Sequence, residues 1–300
     1  VHPYTFRNVG CGESLDRKRL CIAIPASVVS DTPHLREKTS KIGLIGRAAA
    51  IFRVDEIIIY SDSQTASQKH DIDLISLLLA YMETPQYLRK RLFKLEPRLQ
   101  YAGILPPLRT PHHPLNRKMS SLKAGEYREG IILSKADDHA LVDIGVEKPV
   151  LTRNVPETSG SRLTVKIIKT GKHAEAEHAE RDEIPFYWGY SVSAENHPLG
   201  TILKKRGFSL VIATSKYGSP LTEIVGKLAE KWRRASSVLV AFGAPSQGLA
   251  EIVHHEGLSL SDVADFVVNT ISMQGTETVR TEEALLVSLA TLNFALETAR

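Results

Sequence analysis

Three stretches near the end of the chain decide its fold: 210-LVIATSKYG-218, 238-VLVAFGAPSQGL-249 and 266-FVVNTISMQGTETVRTEE-283. Each opens as an apolar run and breaks into a loop of small and polar residues that contains glycine. An apolar run without alternation reads as a strand buried on both faces, the mark of a parallel sheet covered by helices. Loops leaving such strands line a crevice at the strands' carboxyl ends. Three of them in one segment point to one bound small molecule.

The same alternation fills the first hundred residues. Residues 20–29 (LCIAIPASVV) read as a buried strand, 34–53 as a helix with Ile42, Ile45, Ala49 and Phe52 at helical spacing, and 55–60 (DEIIIY) as a second strand. A longer helix over 71–91 follows, kinked or split by Pro85. After Leu105 the pattern changes to short β-type runs at 127–135, 140–144, 148–151 and 162–169, separated by turn signals at Asp137-Asp138, Gly145 and Ser159-Gly160. About 80 residues of short strands suit a small OB-like barrel, a common oligonucleotide-binding module. Alternation resumes near Phe186. The expected organisation is therefore one α/β domain made of residues 1–104 and 186–300, interrupted by a barrel at 105–185. Residues 173–181 (HAEAEHAER) read as an exposed loop or short helix, and the first sixteen residues as a loosely held arm.

Composition is that of an ordinary soluble protein, with 42% hydrophobic residues and a formal net charge of +4. No apolar run approaches the roughly 18 residues of a membrane span, and no leader is visible at the start. Two cysteines, Cys11 and Cys21, fit a reducing compartment as plain thiols, which points to the cytoplasm. Charge is unevenly spread. Residues 86–118 hold eight basic residues against the single acid Glu96, while 243–300 hold eight acids against Arg280 and Arg300. Such a chain has a positive side that can track a phosphate backbone. Arg89, Arg91, Lys94, Arg109, His112, His113, Arg117 and Lys118 are the candidate RNA contacts. The stretch 89–94 reads equally as the solvated face of a helix. The segment with Pro106, Pro107, Pro111 and Pro114 cannot be helical and reads as a rigid basic loop.

Several motifs fail. Gly10-Cys11-Gly12 has no preceding strand and no third glycine at dinucleotide spacing. The pairs His112-His113 and His254-His255 lack partners at metal-ligand spacing, so no metal is expected. Ser215, Ser219 and Ser246 sit in no nucleophile elbow. In 242-FGAPSQGLAE-251, Gly243 and Gly248 allow close approach of a ligand and Pro245 stiffens the turn, although an ordinary strand-to-helix turn would look the same. In 269-NTISMQGTETVRTEEA-284, Thr281 and Glu282 are good helix-start chemistry. Arg280 is not, because a cation at a helix N-terminus is unfavourable, and that conflict marks it as a candidate for holding substrate.

These two motifs resemble the FG-x-P-x-x-GL-x-E and N-x-I-P-x-QGTETVRTEEA motifs of the archaeal and eukaryotic SPOUT-class RNA methyltransferases, with Ser272 and Met273 near the position where that branch more often has proline. Further likeness lies in 104-ILPPLRTPHHPL-115 and 187-YWGY-190, and the resemblance covers roughly residues 18–296. It implies a SPOUT-type parallel sheet with a C-terminal trefoil knot and an inserted OB-like domain. Only the resemblance carries the knot, since knots are nearly absent among folds. It implies S-adenosyl-L-methionine as methyl donor, surrounded by Ala213, Thr214, Gly243, Pro245, Gly248, Ile271, Met273, Gln274, Gly275 and Val279. It gives Arg280 the task of orienting substrate and Glu282 that of holding the site. It also implies a homodimer, which the nearly all-apolar closing helix from Ala284 to Ala295 would fit, burial within one monomer being the other reading. Within the class, uridine N3 of ribosomal RNA is the first expectation for the acceptor, by analogy. The alternative is a non-catalytic RNA-binding ribosome-assembly factor that keeps the fold.

Overall fold

The computed structural model describes residues 18–63 and 67–297, so the N-terminal arm and Cys11 lie outside the described residues. In chain order the elements are β1 (Arg19–Pro25), α1 (Leu35–Ile51), β2 (Glu56–Tyr60), α2 (Lys69–Glu83) and α3 (Gln86–Leu92). Next come β3 (Tyr127–Ala136), β4 (His139–Asp143), β5 (Val150–Arg153), β6 (Arg162–Lys169) and β7 (Glu175–His178). The chain closes with β8 (Ser191–Glu195), α4 (Leu199–Arg206), β9 (Leu210–Pro220), α5 (Leu221–Arg234), β10 (Ser237–Ala241), α6 (Leu249–His254), β11 (Phe266–Asn269) and α7 (Thr281–Glu297).

Six strands form one sheet in the order β11-β9-β10-β1-β2-β8, and every pairing is parallel. Alternate residues of each strand face opposite layers. Ile22 and Ile24 of β1 join Ile57 and Ile59 of β2 beneath α1, α2, α5 and α7. Cys21 and Ala23 join Ile58 and Tyr60 beneath α4 and α6. Burial on both faces explains why these strands read as unbroken apolar runs.

The remaining five strands close a barrel in the order β3-β4-β5-β7-β6 around Ile132, Val142, Ile144, Val165 and Ile167. It lies in the chain between β2 and β8, which are neighbours in the sheet. Tyr87 of α3 makes two of its contacts with the helices. Tyr87 donates to the Glu129 carbonyl (2.7 Å), and Gly145, at φ +80°, sits against the Tyr87 ring so closely that a Cβ there would lie 2.4 Å from it. Only glycine satisfies both demands.

The structure corrects two expectations and decides a third, the kink or split at Pro85. The strand expected over 20–29 stops at Pro25, and residues 26–29 make a 3-10 turn that stays buried, hence its strand-like composition. Residues 175–178 are neither loop nor helix but a barrel strand, β7, flanked by Arg153–Glu175 and Lys169–Glu175 ion pairs. Its composition disfavours a strand, and pairing on both edges overrides that. Pro85 splits the long helix outright into α2 and α3.

Candidate active site

The loops after β10 and β11 meet residues 214–217 of β9 at the carboxyl edge of the sheet and enclose a cavity of about 340 Å³. β9 supplies its wall through an irregularity. The ladder with β11 skips from Ala213 to Ser219, so residues 214–218 bulge out of that pairing and 214–217 face the cavity. Gly218 makes the return possible, since a Cβ there would lie 2.7 Å from the Val267 carbonyl oxygen.

Thr214, Gly243, Pro245, Gly248, Ile271, Gln274 and Val279 line this cavity together. Ala213, Met273 and Gly275 do not. Ala213 is buried in the sheet, and Met273, in the left-handed region at φ +57°, turns its side chain 99% into solvent. Backbone and side chain are cross-tied. Thr214 Oγ1 donates to the Ala241 carbonyl (2.9 Å), Tyr60 Oη to that of Phe242 (2.7 Å), and Thr281 Oγ1 to that of Gly243 (3.0 Å). Asn269 Nδ2 donates to the Lys216 carbonyl (3.0 Å), and Gln274 Nε2 to that of Thr276 (2.9 Å). Among the described residues Lys216 is the only cation on the lining, against Glu251 and Glu277.

Beside the cavity begins α7. Arg280 is exposed, and its backbone N–H donates to Glu283 Oε2 (3.0 Å). Glu282 is only 8% exposed and faces Lys41 of α1, with Glu282 Oε2 3.4 Å from Lys41 Nζ. Lys41 also grips the Asp31 carboxylate at 2.7 and 2.9 Å. Burial alone would raise the Asp31 pKa, but hydrogen bonds from Lys41 and Thr32, with the charges of Lys41 and Arg280, hold it below the ordinary aspartate value. Sequence reading missed Lys41 and Asp31. The signal was a lysine four residues before Ile45 on the buried face of α1.

The basic run divides. His112 is fully buried and cannot touch RNA as the protein stands, which corrects its assignment as a contact. Its Nε2 lies 2.9 Å from the Glu83 carbonyl oxygen and 3.2 Å from Glu83 Oε1. His113 Nε2 shares the same carbonyl at 2.6 Å, and burial, then the neighbouring His112, pushes its pKa down to about 3. Arg162 of the barrel bridges Glu83 (2.6 and 3.0 Å) and Glu129 (2.6 Å) in the same buried group. Burial would raise the Glu83 carboxyl, but hydrogen bonds and charge from His112 and Arg162 hold it well below the carboxylate range. Arg89 closes the end of α2 by donating to the carbonyls of Thr84 (2.9 Å) and Met82 (3.1 Å) over the Tyr81 ring. Arg91 pairs with Asp143 of the barrel (3.0 Å). Arg117 and Lys118 are exposed, and Lys94 and Arg109 face a second cavity, of about 1240 Å³, between α3 and the proline-rich loop. Among the described residues no three His, Cys, Asp or Glu side chains stand together as a metal site, and no helix is long and apolar enough to cross a membrane.

A parallel sheet covered by helices on both faces, with a cavity at its carboxyl edge and a small barrel inserted in its sequence, has the α/β architecture that the C-terminal motifs imply. The chain belongs to the family described as "Putative RNA methyltransferase", which matches residues 19–292. An uncharacterized protein of Haloarcula marismortui is 33% identical over 90% of this chain and 97% of its own. The 28S rRNA (uridine-N(3))-methyltransferase of Drosophila melanogaster is 32% identical over 93% of this chain, which spans 62% of the fly enzyme. The mouse enzyme of the same name is also 32% identical, over 91% of this chain and 75% of its own. The solved SpoU methyltransferase AviRb from Streptomyces viridochromogenes aligns over 95% of this chain and 62% of its own at 9% identity, with a TM-score of 0.36, below the level of a shared fold.

Proposed function

We propose that the protein methylates N3 of a uridine in ribosomal RNA, with S-adenosyl-L-methionine bound in the cavity at the carboxyl edge of the sheet. One observation carries this reading: loops from three parallel strands converge on a single cavity. The volume suits a small ligand, and the lining mixes backbone polar groups, hydroxyls and amides with apolar walls. Two carboxylates against one lysine favour a ligand carrying positive charge. S-adenosylmethionine supplies such a charge and an already activated methyl group. The names of the fly and mouse relatives support ribosomal RNA and uridine N3 as the acceptor.

In this reading Thr214, Gly243, Pro245, Gly248, Ile271, Gln274 and Val279 hold the donor, and Arg280 orients the acceptor base from the rim. Glu282 keeps its place through Lys41. Lys94, Arg109, Arg117 and Lys118 meet the RNA backbone. Residues 105–185 serve as an inserted RNA-binding domain, and the C-terminal segment forms the SPOUT knot. A homodimer belongs to the same reading, because α7 leaves Leu286 and Val287 partly exposed on one side. A ribosomal RNA acceptor supports a cytoplasmic location in the same reading.

Titration calorimetry with S-adenosylmethionine and S-adenosylhomocysteine tests the donor site. Gly248 lines the cavity, and a Cβ there would meet open space. Gly248→Trp should therefore fill the cavity without disturbing the fold. Donor affinity should fall at least about 100-fold, roughly 3 kcal/mol, at unchanged melting temperature. Wild-type protein that binds RNA but neither cofactor would instead establish the non-catalytic assembly factor.

A further inference from the structure

The cavity between α3 and the proline-rich loop differs in kind from the one at the sheet edge, and the two share no lining residue. Its volume of about 1240 Å³ exceeds the roughly 300–1,000 Å³ of a small-molecule pocket, which points to a segment of a polymer. Arg89, Lys90, Lys94 and Arg109 stand on its lining. Among the described residues Glu96 is the only acid there, and Arg98 takes its carboxylate. Between the cations the wall is apolar. Tyr81 and Phe93 meet edge-on with ring centroids 5.2 Å apart, and Leu95 and Leu115 are exposed on the same lining. Arg89 lies over the Tyr81 ring at 4.5 Å and braces it, while Phe93 stays half-buried on the wall. Arg109 is held in place by its backbone. It sits in the left-handed region at φ +54°, exposed between buried Leu108 and Thr110, and Arg47 bonds the carbonyls of Pro107 and Leu108 just before it. A side chain persists in that strained region only where its neighbours fix it.

We propose that this cavity holds an unpaired stretch of RNA outside the acceptor nucleotide, with bases stacked on Phe93 and against Leu95 and Leu115 while Lys90, Lys94 and Arg109 follow the phosphates. Charge alone would suit any polyanion. Apolar and aromatic surface set between the cations suits a polyanion whose planar faces are free, and that is a single strand. Bases of a duplex are covered by one another, and an acidic peptide matches the charge but offers no ring to stack. Every base has a π face, so the grip tolerates changes of sequence. The inference rests on RNA as the partner, and it adds a second RNA site, one that reads unpairedness and lies apart from the donor cavity.

The test measures binding by fluorescence anisotropy. Its probes are a ten-nucleotide RNA strand, the same strand in a duplex, an abasic strand of equal length and a peptide of ten glutamates. Phe93→Ala should weaken binding of the single strand about tenfold and leave the duplex and the abasic strand unaffected. Its salt slope on the single strand should match wild type, since no charge is lost. Lys90→Ala with Lys94→Ala should instead weaken the single strand and the abasic strand together, and lower the slope by about 1.4, at about 0.7 for each lost contact. Unchanged single-strand affinity in Phe93→Ala overturns the inference alone, as does a glutamate peptide that wild-type protein binds as tightly as the RNA strand. Wild-type protein that binds no RNA overturns it together with the RNA reading. Melting curves identify a Phe93→Ala protein that fails to fold, and Phe93→Trp then decides. Its added indole fluorescence, relative to wild type, should be quenched by the single strand and not by the abasic strand, and an equal response to both overturns the inference.

Discussion

Two proline-stiffened polar loops of this chain meet opposite fates. The loop at 243–248 opens onto a cavity, whereas the loop at 105–115 turns His112 inward and buries it. What lies opposite each loop makes the difference. Residues 243–248 line the cavity, so among the described residues their polar groups face open space. The barrel is stacked against the end of α2, so the polar groups there must satisfy one another. Glu83, Glu129, Arg162 and Trp188 do so, with Arg162 binding the two glutamates and the Trp188 indole N–H donating to Glu129, while His112 reaches Glu83 through Nε2 alone. Clustered histidines and arginines thus mark a joint in one place and small residues line a cavity in the other.

The sharpest way to break this comparison is to cut the joint. Arg162→Leu leaves two buried carboxylates without their counter-charge, and should lower stability by about 3–5 kcal/mol in urea unfolding, with donor affinity nearly unchanged in the protein that stays folded. A loss below about 1 kcal/mol would mean that the barrel is held by other contacts. Acid should act on the same joint more gently. His113 binds its proton near pH 3 in the folded protein and near 6.5 unfolded, so its contribution to stability is present above pH 6.5 and drains away as pH falls toward 3. Glu83, whose folded pKa is also depressed, adds to the loss below the ordinary glutamate range. Unfolding of His113→Gln followed over this pH window should show a shallower decline than wild type, and equal slopes would remove His113 from the joint. The smallest effect belongs to the exposed face. Lys94→Glu with Arg109→Glu should weaken RNA binding and flatten its dependence on salt, whereas an unchanged slope would return these residues to the solvated surface.

Much of the fold was legible because buried parallel strands announce themselves. Residues 57–60, 238–241 and 20–24 run apolar through both faces of the sheet, the signature of a strand covered on each side. The Gly243 and Gln274 loops were legible for a related reason, since small residues after such strands have few other uses. β7 was not legible, because its three polar residues acquire strand character only from the partners on either side. Nor were the buried histidines, since burial of a polar side chain depends on a partner far along the chain, as Arg162 is to Glu83. Asp31 and Lys41 share that difficulty. Ten residues apart, they gain meaning only when α7 brings Glu282 alongside.

The strand order carries a consequence for how this protein comes into being. β1 lies in the middle of the sheet, yet one of its two partners, β10, emerges from synthesis roughly two hundred residues later. Pairings between such distant segments are slow to form and leave hydrophobic edges open meanwhile. During translation the bare side of β1 must wait while the entire barrel, a unit of mostly local contacts, is made and can close by itself. Assembly should therefore run out of sequence order, barrel before sheet, with the cavity among the last features to take shape because β9, β10 and β11 all bound it.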